Sequence, residues 1–366
     1  MKRFLLGTSA IVGSVLFAGP ALAGPVSAGD SFDLSLGGNI RYSFVHDSED
    51  QTLSRGRGYR FYADEVEVWV KGSKKGDNGL LYGFEIELNG STTDGTASDE
   101  SWMFVDANWG RVELGDQDDA TDRMAVTGEN AMVGRLGFDE DVAENFFFGA
   151  AIGAPFTTIT DDATKVIYFT PRFTGFQLGA SFTPDSGQTG FTRDADNDGD
   201  FENVLGAGLN YVGTFGAVGV TLSAVGEWGS SEVAAPAAGA SEHDVETYAL
   251  GALVTFSGFS LGAGWADLDK QGIVTTTTAD AGEWWNVGAG YRTGPWGFSV
   301  GYYESEIAQG NGFTAKADIL SFDVEYTVAP GWLVMADLSF VGAKDIDAVG
   351  TDNDGHVFIL SNDFIF

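Results

Sequence analysis

The sequence predicts an all-β fold, a transmembrane antiparallel β-barrel of sixteen strands. Three observations carry that prediction. Apolar residues alternate with polar ones along most of the 366 residues. Short Gly- and Pro-containing turns alternate with long acidic connections. The apolar face combines small residues with aromatics, in a chain that is 13% aromatic and 43% hydrophobic. Alternation at 180° per residue marks a strand with one apolar and one polar face, and the other two features decide what each face meets.

The first element stands outside the fold. Met1 to Ala23 has a basic start (Lys2, Arg3), an apolar run from Phe4 to Phe17, and the small-x-small site Ala21-Leu22-Ala23. That is a secretory signal peptide, with Val26-Ser27-Ala28 as a second cleavage possibility. A membrane-anchoring helix is the alternative, but the run is broken by Gly13 and Gly19, and a spanning helix needs roughly 20 apolar residues. Residues 24–366 then form the barrel, exported to the bacterial outer membrane. Loss of Lys2 and Arg3 moves the formal charge from −34 to −36.

The strands follow in order. Phe32, Leu34, Leu36, Ile40, Tyr42 and Phe44 share one parity, with Asp33, Ser35, Asn39, Arg41 and Ser43 between them. Leu80, Tyr82, Phe84, Ile86 and Leu88 repeat the pattern against Gly83, Glu85, Glu87 and Asn89. So do Phe176 to Phe182, Leu320 to Tyr326 and Trp332 to Phe340. Seven short connections, such as Phe215-Gly216, Ser257-Gly258 and Pro330-Gly331, use Gly and Pro as hairpin punctuation. Eight long ones lie near 46–56, 90–99, 116–163, 184–202, 229–244, 269–282, 306–315 and 344–354. Fifteen connections join sixteen strands, with short periplasmic turns and long extracellular loops. A soluble sandwich would alternate too, but its apolar face would meet a core, not lipid. Trp285 with Tyr291 and Trp296 with Tyr302 are six residues apart on the apolar face. Each pair spans roughly 15 Å, so only one end need meet an interfacial girdle of the ~25 Å apolar band.

Composition excludes several functions. A chain with 19 Lys+Arg against 53 Asp+Glu has no basic face for nucleic acid. With no Cys there is no disulfide framework, thiolate metal site or thiol catalysis. His46, His243 and His356 lie in or beside long loops, near no nucleophile motif. Glu85 and Glu87 read as hydrated pore lining, not as an acid–base pair.

Phe358, Leu360, Phe364 and the terminal Phe366 share one parity, interrupted by Asn362. This end resembles the recognition signal by which outer-membrane barrels reach their assembly machinery. The segments Gly110-Arg111-Val112-Glu113-Leu114-Gly115-Asp116, Thr170-Pro171-Arg172-Phe173-Thr174-Gly175-Phe176-Gln177-Leu178-Gly179 and Gly76-Asp77-Asn78-Gly79-Leu80-Leu81-Tyr82-Gly83 resemble the general porins of alphaproteobacteria. The resemblance covers essentially the whole mature chain. It implies homotrimeric sixteen-stranded barrels that pass small hydrophilic solutes, surrounded by outer-membrane lipid and lipopolysaccharide. It also implies that the third long loop folds into the lumen.

That loop, 116–163, is far longer than usual, and such loops tend to be functional. Its expected lumenal acids are Asp116, Asp118, Asp119, Asp122, Glu129, Asp139 and Glu140, with Asp141 and Glu144 beyond, against only Arg123 and Arg135. Strand parity places Arg41, Arg55, Arg57 and Arg111 on the opposite inner wall, with Glu65, Glu67, Glu113 and Arg292. Arg60 has the wrong parity unless a bulge intervenes. The expectation is an eyelet in which arginines face acids across a narrow aqueous gap, setting a transverse field. Net charge points to a cation preference, and the third loop has no lysine, as an anion-specific pore would.

Asp194, Asp196, Asp198, Asp200 and Glu202 place carboxylates at every second position around Gly199, a calcium-loop pattern. Leu205 stands where an EF-hand needs Glu, so the alternatives are a surface calcium site and a merely acidic loop. Asp352-Asn353-Asp354-Gly355 echoes it. No cofactor is required. The expected function is therefore a passive-diffusion pore with no enzymatic activity. The alternatives are a substrate-selective channel, a barrel enzyme and a secreted calcium-binding adhesin.

Overall fold

The computed structural model describes residues 26–27, 32–50, 57–91, 98–135, 137–138, 159–191, 199–232, 243–269, 281–308, 314–345 and 352–366. Sixteen antiparallel strands run β1 Asp33–Glu49, β2 Tyr59–Lys75, β3 Leu81–Asn89, β4 Ser98–Ala107, β5 Gly110–Asp116 and β6 Thr164–Phe169. They continue as β7 Phe176–Asp185, β8 Phe201–Phe215, β9 Val218–Ser231, β10 Val245–Phe256 and β11 Phe259–Asp267. The last five are β12 Gly282–Thr293, β13 Trp296–Ala308, β14 Thr314–Ala329, β15 Trp332–Lys344 and β16 Asn353–Ile365. Each strand pairs with its sequence neighbours, and β16 pairs with β1 from Gly355↔Glu49 to Ile365↔Asn39, closing the sheet. A short pair, Val26–Ser27, lies against Asp33 and Leu34 before β1.

Closure removes both sheet edges, which is what lets strands cross lipid with no unpaired backbone. The terminal Phe366 belongs to this seam, exchanging backbone hydrogen bonds with Gly38 at 2.9 and 3.0 Å. Gly38 has no side chain because the Phe366 ring covers it, with Cζ 2.7 Å from where a Cβ would stand.

The alternation resolves into two faces. Leu36, Ile40, Tyr42, Leu178, Leu250, Leu261, Phe298, Phe322 and Phe340 are exposed on the outside. Ser43, Thr247, Asn286, Ser321, Asp337 and Ser339 are buried on the inside. The apolar faces suit lipid and the polar ones a hydrated lumen.

One irregularity redirects a segment. Arg41 pairs with Glu65 but Tyr42 with Ala63, so Asp64 is an extra residue and β2 bulges there. A bulge inverts strand parity beyond it. Below it, Glu65 and Glu67 face inward as expected. Above it, Tyr59 and Phe61 turn outward, Phe61 being 78% exposed.

Candidate functional site

The third loop enters the barrel at Asp116 and follows the inner wall. Its first turn is α1, Ala120–Met124, capped by Asp119, whose carboxylate accepts from the backbone N–H of Thr121 (2.8 Å) and Asp122 (2.9 Å). Asp is a preferred N-cap because its oxygen satisfies otherwise unpaired amides. A 3₁₀ turn, Gly128–Ala131, follows, with a capping box between Thr127 and Asn130.

Three devices hold this path against β7–β15. The first is a hydrophobic cluster inside the barrel. Ala120, Met124 and Phe138 of the loop are buried with Ile167, Phe169, Val225, Ala249, Trp284 and Tyr303 of the wall, and Met132 packs on them. Phe138 stacks on Tyr303, which stacks on Trp284, with ring centroids 6.2 Å apart in both cases. Full burial of one such phenylalanine is worth about 1.5–3 kcal/mol.

The second device is polar. Wall side chains bond the loop's backbone: Ser223 Oγ accepts from Val126 N at 2.9 Å, Asn286 Oδ1 from Gly128 N at 2.7 Å, Ser299 Oγ from Val133 N at 3.0 Å and Asp337 Oδ1 from Arg135 N at 3.0 Å. Ser260 Oγ donates to the Ala131 carbonyl at 2.7 Å. Irregular backbone is thereby satisfied without water.

The third is a glycine track. Where the loop crosses β10 to β13, the inner wall presents Gly251, Gly262, Gly264, Gly288, Gly290, Gly297 and Gly301. A Cβ at any of them would press on Val126, Thr127, Gly128, Ala131, Met132, Val133 or Phe138. Glycine lets two backbones approach this closely. Sequence reasoning missed the track, although Gly262-x-Gly264 and Gly288-x-Gly290 share the inward parity on neighbouring strands.

The expected lumenal acids divide on this framework. Asp119 caps α1 and accepts from Ser181 Oγ at 3.0 Å, so it serves the wall side of the loop. Asp116 accepts from Thr164 Oγ1 and from Gly190 N (2.9 Å), tying β5 to the fourth loop. Glu129 accepts from Phe138 N at 2.9 Å and braces its own loop. In the structure these three carboxylates take part in holding the loop. Asp118 and Asp122 remain with Glu100 and Asp162 at the loop root, the oxygens of Glu100, Asp118 and Asp162 lying within 4.8 Å of one another. Burial first, then Asp122, holds the Asp118 carboxyl well above the usual range. Burial first, then Asp119, pushes Asp122 up to about 7. Asp139 and Glu140 lie outside the described residues.

The opposite wall, β1 to β5, keeps its arginines in ion pairs. Arg41 reaches Glu65 at 3.2 Å and Asp363 at 3.9 Å. Arg111 pairs with Glu113 and lies over the Phe104 ring at 3.8 Å. Arg123 crosses from the loop to the same Glu113, and Lys71 pairs with Glu85. Arg57 does not line the lumen. The bulge at Asp64 turns its side outward, where it lies over Tyr59 at 5.4 Å, while Arg60 takes the inward parity, over Tyr62 at 5.0 Å. Arg55 lies outside the described residues, as do Asp194, Asp196 and Asp198. Of that calcium pattern Asp200 and Glu202 are described, Glu202 within β8 opposite Asp185 and Ser230. Among the described residues the carboxylate clusters are instead Glu67–Glu87–Asp99 and Glu100–Asp118–Asp162.

A closed barrel narrowed by an inward loop and walled by paired charges is a channel. Solved structures share the architecture. A loop-deletion variant of an outer membrane protein of Vibrio cholerae matches with TM-score 0.65 at 14% identity, over 92% of this chain and 100% of that one. The anion-selective porin from Comamonas acidovorans matches with TM-score 0.62 at 17% identity, over 92% and 100%. A triple mutant of the Rhodopseudomonas blastica porin matches with TM-score 0.57 at 17% identity, over 91% and 100%. An uncharacterized protein of Rickettsia bellii is 23% identical over 94% of both chains, and one of Rickettsia conorii 25% over 73% of this chain and 75% of its own. The family model described as Gram-negative porin matches residues 7–345, so this chain belongs to the Gram-negative porins, outer-membrane channels built on the barrel seen here.

Proposed function

We propose a general diffusion pore for small hydrophilic solutes and ions, with a preference for cations. The observation that carries the preference is the disposition of charge on the wall facing the loop. Arg41, Lys71 and Arg111 are each engaged by a wall carboxylate, and Glu67 and Asp99 add further acid on the inner face of β2 to β4. Fixed carboxylates around a narrow aqueous path raise the local concentration of cations. The same architecture occurs in a neighbour described as anion-selective, so selectivity belongs to the placed charges and not to the barrel.

The reading extends to assembly. β5 spans only seven residues, whereas β1 and β2 span seventeen each. Seven residues cover about 18 Å of a ~25 Å apolar band, and the outward residues Met103, Val105 and Leu114 are apolar and exposed there. A homotrimer would cover that low sector with a second copy of the chain. Cleavage near Ala23 and delivery through the Phe366 end to the assembly machinery complete the proposal. Reversal potentials in a KCl gradient test the selectivity, and a chloride-favouring potential refutes it. Size-graded sugar uptake into proteoliposomes tests the general pore, and uptake confined to one sugar refutes it.

A further inference from the structure

Where the third loop lies on the wall, inward-facing aromatic rings are covered: Trp284 and Tyr303 are buried beneath Phe138. On the opposite wall they are not. Trp69 on β2 and Trp102 and Phe104 on β4 share the inward parity of Glu85 and Glu113, and all three are only partly buried. Trp102 stands directly opposite Gly115, one residue before the loop enters at Asp116. A solute passing between the loop and this wall therefore meets indole as well as carboxylate.

Each of these rings already holds a cation of the chain. Lys71 Nζ lies 5.4 Å from the Trp69 centroid. The Arg111 guanidinium lies 3.8 Å from Phe104 and 5.4 Å from Trp102, and that of Arg123 lies 5.8 Å from Trp102. The three are not held equally. Arg111 and Arg123 both pair with Glu113, which is fully buried. Lys71 is the loose one: its side chain is 47% exposed, and its partner is Glu85 on the neighbouring strand.

Trp69, by contrast, is fixed. Its Nε1 donates to Glu67 Oε2 at 3.1 Å. Directly opposite it stand Gly37 on β1 and Glu87 on β3. A Cβ on Gly37 would come within 3.3 Å of the Trp69 ring, so the glycine leaves room for the indole. Selection by charge alone needs carboxylates and no ring. An aromatic face beside them adds attraction through its quadrupole, and that term recognises quaternary ammonium groups. A primary ammonium such as that of Lys71 is compact and strongly hydrated, and so makes the weaker partner for the ring.

We propose that Trp69, with Glu67 and Glu85, forms a lumenal binding subsite for small organic cations of the quaternary ammonium class. The occupant lies over the Trp69 ring, where Lys71 Nζ now lies, with Glu85 as its counter-charge. Lys71 yields the place by swinging into the water of the lumen, at little cost because exposed ion pairs are weak. It acts as an internal competitor that keeps the affinity low. Conduction requires that a solute bind well enough to enter and weakly enough to leave. The subsite rests on the reading of the chain as a cation-preferring pore and narrows it from charge to the kind of cation.

Single-channel recording of the purified full barrel in planar bilayers, with KCl carrying the current and choline added, tests it. Choline should reduce the native current saturably and reversibly. Its uncharged isostere, in which a tert-butyl group replaces the trimethylammonium, should not. Trp69→Leu should raise the half-blocking concentration about fivefold, and Trp69→Phe should hold it near the native value. Lys71→Gln, which removes the competitor, should lower it. The proposal is overturned by a native channel that choline does not block, or by equal block from the isostere. It is equally overturned by an unchanged value in Trp69→Leu, by equal loss in the leucine and phenylalanine variants, or by a raised value in Lys71→Gln. Heat-modifiable gel migration shows that each variant is folded. The reversal potential in a KCl gradient, read on the same channels before choline is added, separates failure of the cation-preferring reading from failure of the subsite.

Discussion

Substituting Gly251 by alanine tests the inward loop with a single carbon atom. The new Cβ would lie so near the Val126 carbonyl oxygen that the loop must retreat by about 1.4 Å to reach 3.0 Å, a separation that real contacts essentially never undercut. Gly251 takes no positive φ, so alanine fits its backbone and the strain falls on the loop. A retreat of that size also stretches the 2.9 Å bond from Val126 N to Ser223 Oγ. Leaving that amide unsatisfied costs about 1–3 kcal/mol, confined to the loop's attachment. The loop can move only toward the pore axis, so single-channel conductance in planar bilayers should fall while heat-modifiable migration stays native. Ala263→Val, on the outward face of β11, is the control and should leave conductance unchanged. Native conductance and native open-channel noise in Gly251→Ala would refute the account of the track.

The remaining predictions concern charge. Arg111→Ala removes one lumenal cation, leaving Glu113 to Arg123 alone, and should raise cation over anion permeability, read as a larger reversal potential in a KCl gradient; Arg57→Ala, outside the lumen, should leave it unchanged. Glu67→Gln/Glu85→Gln should move the reversal potential toward zero, and no movement would place selectivity elsewhere. Asp122 holds its proton up to about pH 7 in the folded loop against an ordinary value of 3.8. The folded state thus binds the extra proton, and its contribution is full below the ordinary carboxylate range and lost as pH rises through about 7. Open-channel noise should grow across that interval, and Asp122→Asn should flatten the dependence. Phe138→Ala removes the ring that stacks on Tyr303 and should cost about 3–5 kcal/mol at that attachment, seen as faster proteolysis of the third loop within an intact barrel.

The barrel was readable because its two solvents impose a period of two, and Gly and Pro mark where each strand stops. The bulge at Asp64 was not. Ala63, Asp64 and Glu65 mix a small residue with two acids, so hydropathy cannot say where parity slips, and Arg57 was misplaced with everything above it. The third loop was recognisable by length and acid content, but charge alone does not say which side of a loop an acid serves. Asp119 precedes a helical turn in Asp-Ala-Thr-Asp, a capping pattern that could have assigned it to the wall. The inner glycines read as merely small until a second backbone was found lying on them.

The hydrophobic cluster between loop and wall gives the molecule two cooperative units of unequal size. The barrel is held by a closed ladder of strand pairing, whereas the constriction is held by a few side chains, wall-to-loop bonds such as that from Val126 N to Ser223 Oγ, and close packing over glycine. Units of this kind open separately, each with its own free energy. On warming, the eyelet should therefore loosen while the wall stays sealed, so that the cell loses discrimination among solutes well before it loses the membrane barrier itself.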